Sequence, residues 1–252
     1  MVHFVGAGPG AADLMTVRGT ELLRRTGTVV YAGSLVNPAL ADLAAPECER
    51  FDSAYLTLEE IVEILRRADR QGREPVRLHS GDPCLYGALR EQTDALDALG
   101  VPWDVTPGVS SFCAAAAALG AEFTLPGVSQ SVILTRLPGR TPVPEGESLA
   151  RLAECGASMA IFLSTGMAEA VQRELLAGGR YSAHTPAAVV YRASWPDQQV
   201  IRCTVGTLAE TVEAAGIRNT ALLLAGDFLD ASGQRSKLYD GTFSTGYREG
   251  SP

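Results

Sequence analysis

The chain has 252 residues, 46% of them hydrophobic and 20% charged, with a formal net charge of -8. That is enough apolar material for one large domain or two smaller ones with their own cores. The acidic balance argues against general nucleic-acid binding, which calls for a basic stripe, and no uncharged apolar run approaches the ~20 residues of a membrane helix.

From the N-terminus, residues 3–5 and 28–31 read as short buried strands. The helix expected between them, over residues 13–25, gathers Leu14, Val17, Leu22 and Leu23 near one face. Thr57-Leu58-Glu59-Glu60 reads as an N-cap followed by acids, opening a helix to about residue 70 whose apolar face is Ile61, Ile64, Leu65 and Ala68. A strand over 75–79 leads into Gly81-Asp82-Pro83-Cys84-Leu85-Tyr86-Gly87, and a helix is expected over 85–99, stopped by Gly100. A strand over 101–105 then meets Thr106-Pro107-Gly108-Val109-Ser110-Ser111-Phe112, and residues 110–119 form an alanine-rich helix.

The second half offers strands at 132–135, 159–163, 187–191, 200–205 and 221–225, with helices near 148–154, 167–177 and 207–215. The strands at 187–191 and 200–205 are joined by the polar turn Trp195-Pro196-Asp197-Gln198-Gln199 and read as an antiparallel hairpin. The pattern predicts an α/β chain of two domains, 1–112 with a mostly parallel sheet and 113–252 with a mixed one. Five scattered cysteines (Cys48, Cys84, Cys113, Cys155, Cys203) without a CxxC pair argue against a metal site or a disulfide framework. Met1-Val2-His3-Phe4-Val5-Gly6 runs into a strand with no basic leader, so a cytoplasmic protein with reduced thiols is expected.

Three glycine-bearing loops stand at strand ends, where open α/β sheets bind small ligands. The first, Gly6-Ala7-Gly8-Pro9-Gly10, has the logic of a dinucleotide fingerprint but the spacing GxGxG. Pro9 removes one amide, and the end of the second strand, Tyr31-Ala32-Gly33-Ser34, lacks the acid that would hold a ribose in a nicotinamide site. In the second, Asp82 is a carboxylate fixed by Pro83 and suited to a ligand's hydroxyl or amine groups. In the third, Ser110 and Ser111 stand at the mouth of a helix, where hydroxyls and amides suit carboxylate or ribose oxygens. Nothing resembles a serine-hydrolase elbow. Arg136 and Arg140, in a proline-stiffened loop running to Pro144, suit carboxylates. The readings left open by these residues are a nicotinamide-dependent oxidoreductase and a non-enzymatic ligand-binding or regulatory module.

Together, the Gly-x-Gly-Pro-Gly loop, Gly81-Asp82-Pro83 with Tyr86-Gly87, and Pro107-Gly108-Val109-Ser110-Ser111 resemble the tetrapyrrole methylase family, from Val2 to about Phe228. Tyr31-Ala32-Gly33-Ser34-Leu35-Val36, the stretches Leu125–Arg136 and Gly139–Pro144, and Val190–Pro196 are most similar to the branch that methylates precorrin-4 at carbon 11 in cobalamin biosynthesis. Uroporphyrinogen methylases resemble it in the loops but typically carry Thr-Gly-His where this chain has Thr135-Arg136.

The resemblance implies a class III methyltransferase of two α/β domains, usually homodimeric. It implies S-adenosyl-L-methionine as methyl donor in the cleft between the domains, S-adenosyl-L-homocysteine as product and a tetrapyrrole substrate. Pro9, Gly81, Asp82, Pro83, Tyr86, Ser110 and Ser111 would then bind the cofactor from the first half, and Phe162, Leu163, Tyr191, Arg192, Thr220 and Ala221 from the second. Asp82 is the candidate catalytic group, either orienting the substrate or taking up a ring proton. Arg136, Arg140 and Arg192 are the candidates to meet substrate carboxylates.

Overall fold

The computed structural model describes residues 1–233, 236 and 239–251. The chain forms two compact units, one of Met1–Ala114 with Arg192–Gln198 and one of Ala115–Tyr191 with Gln199–Pro252. Segment Arg192–Gln198, which holds all but the last residue of the expected hairpin turn, thus counts with the first unit although its flanking strands belong to the second.

The first unit holds β1 (Val2–Gly6), β2 (Thr28–Tyr31), β3 (Glu49–Asp52), β4 (Val76–His79) and β5 (Trp103–Thr106), all parallel, in the order β3-β2-β4-β1-β5. Its helices are α1 (Val17–Arg25), the short α2 (Pro38–Ala41), α3 (Leu58–Arg70), α4 (Leu89–Ala98) and the start of α5 (Ser111–Leu119). Side chains alternate across the sheet with period two. Val5, Val29, Val76 and Leu78 pack on one face with Leu22 and Leu23 of α1 and Leu40 of α2. Phe4 and Val30 pack on the other with Ile61, Val62 and Leu65 of α3 and Leu96 of α4.

After β1 the chain passes β4 to reach β2, and after β4 it passes β1 to reach β5. The loops leaving these neighbouring strands therefore depart to opposite faces, which opens a crevice at their carboxyl ends.

Local chemistry sets the helix limits. Thr57 and Glu60 form the expected capping box at α3: the Thr57 hydroxyl accepts the Glu60 amide, and the Glu60 carboxylate accepts the Thr57 amide. Helix α4 starts at Leu89 rather than near 85, because Tyr86 (φ 55°) and Ala88 (φ 48°) are left-handed and no helix passes through them. Strand β3 and helix α2 were not foreseen. Glu-Arg-Phe-Asp has no apolar run, and it lies at the sheet edge, paired with β2 alone.

The face carrying Phe4 also carries two buried basic side chains, Arg77 and His79. Arg77 donates to Gln92 Oε1 (2.9 Å) and to the Val30 carbonyl (3.3 Å), and burial lowers its pKa to about 10, with Asp52 opposing. His79 lies against the Phe4 ring, 5.8 Å between centroids. Burial, and then Arg77, push its pKa from 6.5 down to about 3, with Asp82 opposing, so it is neutral in the folded chain.

Unfolded His79 titrates near 6.5, so between that pH and about 3 the unfolded chain binds the extra proton and stability falls as the solution is acidified. The share lost between about pH 7 and pH 5 is about 2 kcal/mol. His79→Leu is expected to flatten the pH dependence of urea unfolding by that amount over this range. An unchanged slope would show that His79 takes up its proton in the folded chain over the same pH range as in the unfolded one.

The second unit continues α5 and holds β6 (Val132–Arg136), α6 (Leu149–Ala153), β7 (Ser158–Phe162), α7 (Ala168–Ala177), β8 (Pro186–Tyr191), β9 (Gln199–Thr204), α8 (Leu208–Ala214) and β10 (Ala221–Ala225). The strand order is β6-β7-β10-β8-β9, with β6 and β7 parallel and every other pair antiparallel, so the sheet is mixed and β8–β9 pair as the expected antiparallel strands. Met159, Ile161, Val189 and Leu223 face one core together with Leu149, Val171, Leu175, Leu208 and Val212 from the helices. Among the described residues no helix is long and apolar enough to cross a membrane.

Candidate active site

The three loops of the first unit meet at the carboxyl ends of β4, β1 and β5. Gly8 and Gly81 form an isolated bridge, with Gly8 N donating to the Gly81 carbonyl (3.2 Å) and Gly81 N to the Gly8 carbonyl (2.9 Å). Both glycines have positive φ, 71° and 63°. Gly108 approaches so closely that a Cβ there would lie 2.2 Å from the Gly81 oxygen and 2.8 Å from Gly6 Cα.

Asp82 bridges two of the loops. Its Oδ1 accepts the Cys84 amide (2.8 Å) and its Oδ2 the Gly108 amide (2.9 Å). The carboxylate thereby fixes the turn after β4 and holds the loop after β5 against it. Pro83 and Ser110 are buried close by in sequence, whereas Tyr86 is 43% exposed.

The first glycine loop is held from elsewhere in the unit. Ala7 N donates to the His79 carbonyl (2.7 Å), and Ala11 N to Ser194 Oγ (3.0 Å). With Gly8 paired to Gly81 and Pro9 lacking an N–H, at most one of the five residues 7–11 keeps a backbone donor for a ligand. A dinucleotide loop needs that row of amides for its pyrophosphate, so the nicotinamide reading loses its physical basis here.

In the second unit the expected residues line one end of the sheet. Arg136 lies opposite Phe162 across β6–β7, and Ala221 opposite Tyr191 across β10–β8. Leu163 (φ 51°) follows Phe162, and Thr220 (φ 56°) precedes Ala221. The Thr165 hydroxyl donates to the Ala221 carbonyl (2.9 Å), tying the turn after β7 to the start of β10. Ser164 Oγ donates to the Phe162 carbonyl (2.7 Å) and accepts the Leu137 amide (2.9 Å), tying that turn to β6. Sequence reasoning missed Ser164 and Thr165, although a Ser-Thr pair just after a strand is a usable signal of such turns.

Seven non-glycine residues described have positive φ, and four of them (Tyr86, Leu163, Arg192, Thr220) are among the expected site residues. Such conformations cost of order 1–3 kcal/mol each and persist where a site requires them.

The arginines differ in what they do. Arg136 donates to the carbonyls of Leu137 (3.1 Å), Thr141 (3.0 Å) and Pro142 (2.9 Å), so its guanidinium shapes the loop that carries Arg140. Arg140 is exposed. Arg192, in the first unit, pairs with Asp197 (2.6 Å) and lies over the Trp195 ring, 4.8 Å from its centroid.

Known proteins resemble this chain over most of its length. The family model for tetrapyrrole (corrin/porphyrin) methylases matches residues 1–209. The precorrin-4 C(11)-methyltransferase of Pseudomonas aeruginosa is 47% identical over 250 residues, covering 99% of both chains. The X-ray structure of a cobalamin biosynthetic enzyme, cobalt precorrin-4 methyltransferase, superposes with a TM-score of 0.87 at 44% identity, covering 91% of this chain and 96% of that one. A uroporphyrin-III C-methyltransferase from Thermus thermophilus, solved with S-adenosyl homocysteine, gives a TM-score of 0.76 at 28% identity, covering 91% and 93%. With the three-loop arrangement, the mixed second sheet and a match over most of its length, this chain belongs to the tetrapyrrole (corrin/porphyrin) methylases.

Proposed function

We propose that this chain transfers a methyl group from S-adenosyl-L-methionine to carbon 11 of precorrin-4, or of its cobalt-bearing counterpart, in cobalamin biosynthesis. The observation that carries the reading is near-full-length similarity, at 47% identity, to an enzyme named for that reaction. A homodimer in the cytoplasm, with S-adenosyl-L-homocysteine released as product, belongs to the same proposal.

The donor set of the first unit fits such a cofactor. Residues 7–10, 80–87 and 107–110 contain no Lys or Arg and one acid, Asp82. A sulfonium cation meets no like charge on these three loop segments, and a ligand without phosphates has no need of the amides already engaged by protein partners.

When bound, S-adenosylmethionine supplies an electrophilic methyl group, and the macrocycle supplies the nucleophilic carbon. The protein's task is then alignment, which can lower a barrier by about 7–11 kcal/mol. Pro9, Gly81, Pro83, Tyr86, Ser110 and Ser111 are proposed to hold the cofactor, as are Phe162, Leu163, Tyr191, Arg192, Thr220 and Ala221. Aromatic faces such as Phe162 and Tyr191 would steady a sulfonium by about 0.5–2 kcal/mol through cation–π contact. Asp82 is the proposed orienting carboxylate.

Arg140 and Arg192 are proposed to meet the carboxylates of the macrocycle, with Arg136 contributing through the loop it shapes. Calorimetric titration with S-adenosylhomocysteine, with NADH as the control ligand, tests the cofactor; mass analysis of the product from precorrin-4 tests the reaction. Binding of NADH alone, or no methylated product, would overturn the reading. In the same assay Arg140→Gln is expected to raise the KM for the tetrapyrrole about tenfold, the value of one charge-assisted hydrogen bond, with kcat nearly unchanged.

A further inference from the structure

We propose that Trp195 is a positioning residue for the methyl-donor site, acting through Pro9 and Gly10 rather than by touching the reacting atoms. Its indole Nε1–H donates to the Pro9 carbonyl (2.9 Å). The same ring covers Gly10 so closely that a Cβ there would stand 2.1 Å from both Cδ1 and Nε1. Gly10 is therefore glycine to admit a side chain of this protein. On either side of the ring the loop is fixed again: Ala11 N donates to Ser194 Oγ (3.0 Å), and Asn37 Nδ2 donates to the Gly10 carbonyl (3.0 Å). Three consecutive residues, 9 to 11, thus take their backbone geometry from side chains distant in sequence.

The segment that presents Trp195 is itself preformed. Trp195 N donates to the Arg192 carbonyl (2.9 Å) and Gln198 N to the Trp195 carbonyl (3.1 Å). The Ser194 amide donates to Gln198 Oε1 (2.6 Å), holding Ser194 at φ 69°. Arg192, at φ 46°, lies over the indole and pairs with Asp197. Two left-handed residues beside one aromatic ring make a rigid turn whose product is the placement of that ring on the loop after β1. With no N–H at Pro9 and no strand partner beyond Gly8, the loop has little else to define it.

This inference rests on the proposed use of S-adenosylmethionine, and the test separates the two. Trp195→Phe keeps an aromatic ring and removes the Nε1–H. Loss of one such hydrogen bond predicts a three- to tenfold rise in the Kd for S-adenosylhomocysteine and in the KM for S-adenosylmethionine. The KM for the tetrapyrrole and kcat at saturating donor are expected to stay within about twofold. An unchanged Kd in a variant of a wild type that does bind overturns the positioning role alone. A wild type that does not bind overturns the cofactor reading. An equal fall in every kinetic parameter shows a merely structural role and also overturns the inference. If Trp195→Phe does not fold, Gly10→Ala decides: its Cβ would stand 2.1 Å from the indole Cδ1 and Nε1 and displace the ring from the loop, and the same rise in donor Kd is expected, an unchanged value overturning the proposal.

Discussion

Gly108→Ala is expected to unfold the site where the three loops meet, with a loss of about 3 kcal/mol or more and no measurable binding of S-adenosylhomocysteine. The methyl carbon would stand 2.2 Å from the Gly81 oxygen, 2.8 Å from Gly6 Cα and 3.0 Å from the Gly6 carbonyl carbon. All three are backbone atoms, so no rotamer change relieves the contact. The loops must separate, and separation breaks the Gly8–Gly81 bridge and the bond from Gly108 N to Asp82. For a chain of this size the melting temperature should fall by about 6–12 °C. Gly146, with nothing within 4 Å of its notional Cβ, supplies the control, and Gly146→Ala should melt with the wild type. A Gly108→Ala protein that melts and binds like the wild type would mean that the loops stand further apart than described.

The second large effect belongs to Asp82. Both carboxylate oxygens accept backbone amides, so Asp82→Asn replaces one acceptor by an NH₂ group aimed at another N–H. Leaving a part-buried donor without its partner costs about 1–3 kcal/mol. The Kd for S-adenosylhomocysteine is expected to rise roughly tenfold to a hundredfold, since that energy sets the loop geometry on which binding depends. The kinetics separate the two roles open to this residue. An orienting carboxylate predicts raised KM values with kcat at saturation largely kept; a proton acceptor predicts a collapse of kcat at saturation on top of the lost donor affinity. The second outcome would return Asp82 to chemistry.

Much of this fold is legible because its strands are short apolar runs and its helices carry caps. Thr28–Tyr31 was expected to the residue, and Thr57 opens α3 as its capping box requires. The failures have physical causes. Glu49–Asp52 is a strand by virtue of its neighbour β2 and not of its composition. The late start of α4 follows from left-handed residues at 86 and 88, which the apolar spacing of Leu85 and Leu89 conceals.

At the site, the glycine loops after β1, β4 and β5 could be read directly, because parallel strands dictate where ligands bind. What fills those loops could not. The partner of Gly10 is a tryptophan more than 180 residues away, and the partners of Arg136 are three carbonyls of its own loop. Residue type announces what a side chain is able to bond, and only the folded chain decides what it does bond.

The engaged amides of the first glycine loop have a consequence for life among other nucleotides. A cell is crowded with adenosine bearing phosphates, and an enzyme for an adenosine without them must refuse that crowd. On the proposed use of S-adenosylmethionine, the refusal is by subtraction. A phosphate brought to residues 7–11 would lose its water and find at most one backbone donor in exchange, a poor bargain for a doubly charged group. Selectivity of this kind needs no repelling charge and no gate, only a loop whose backbone donors were nearly all taken when the chain folded.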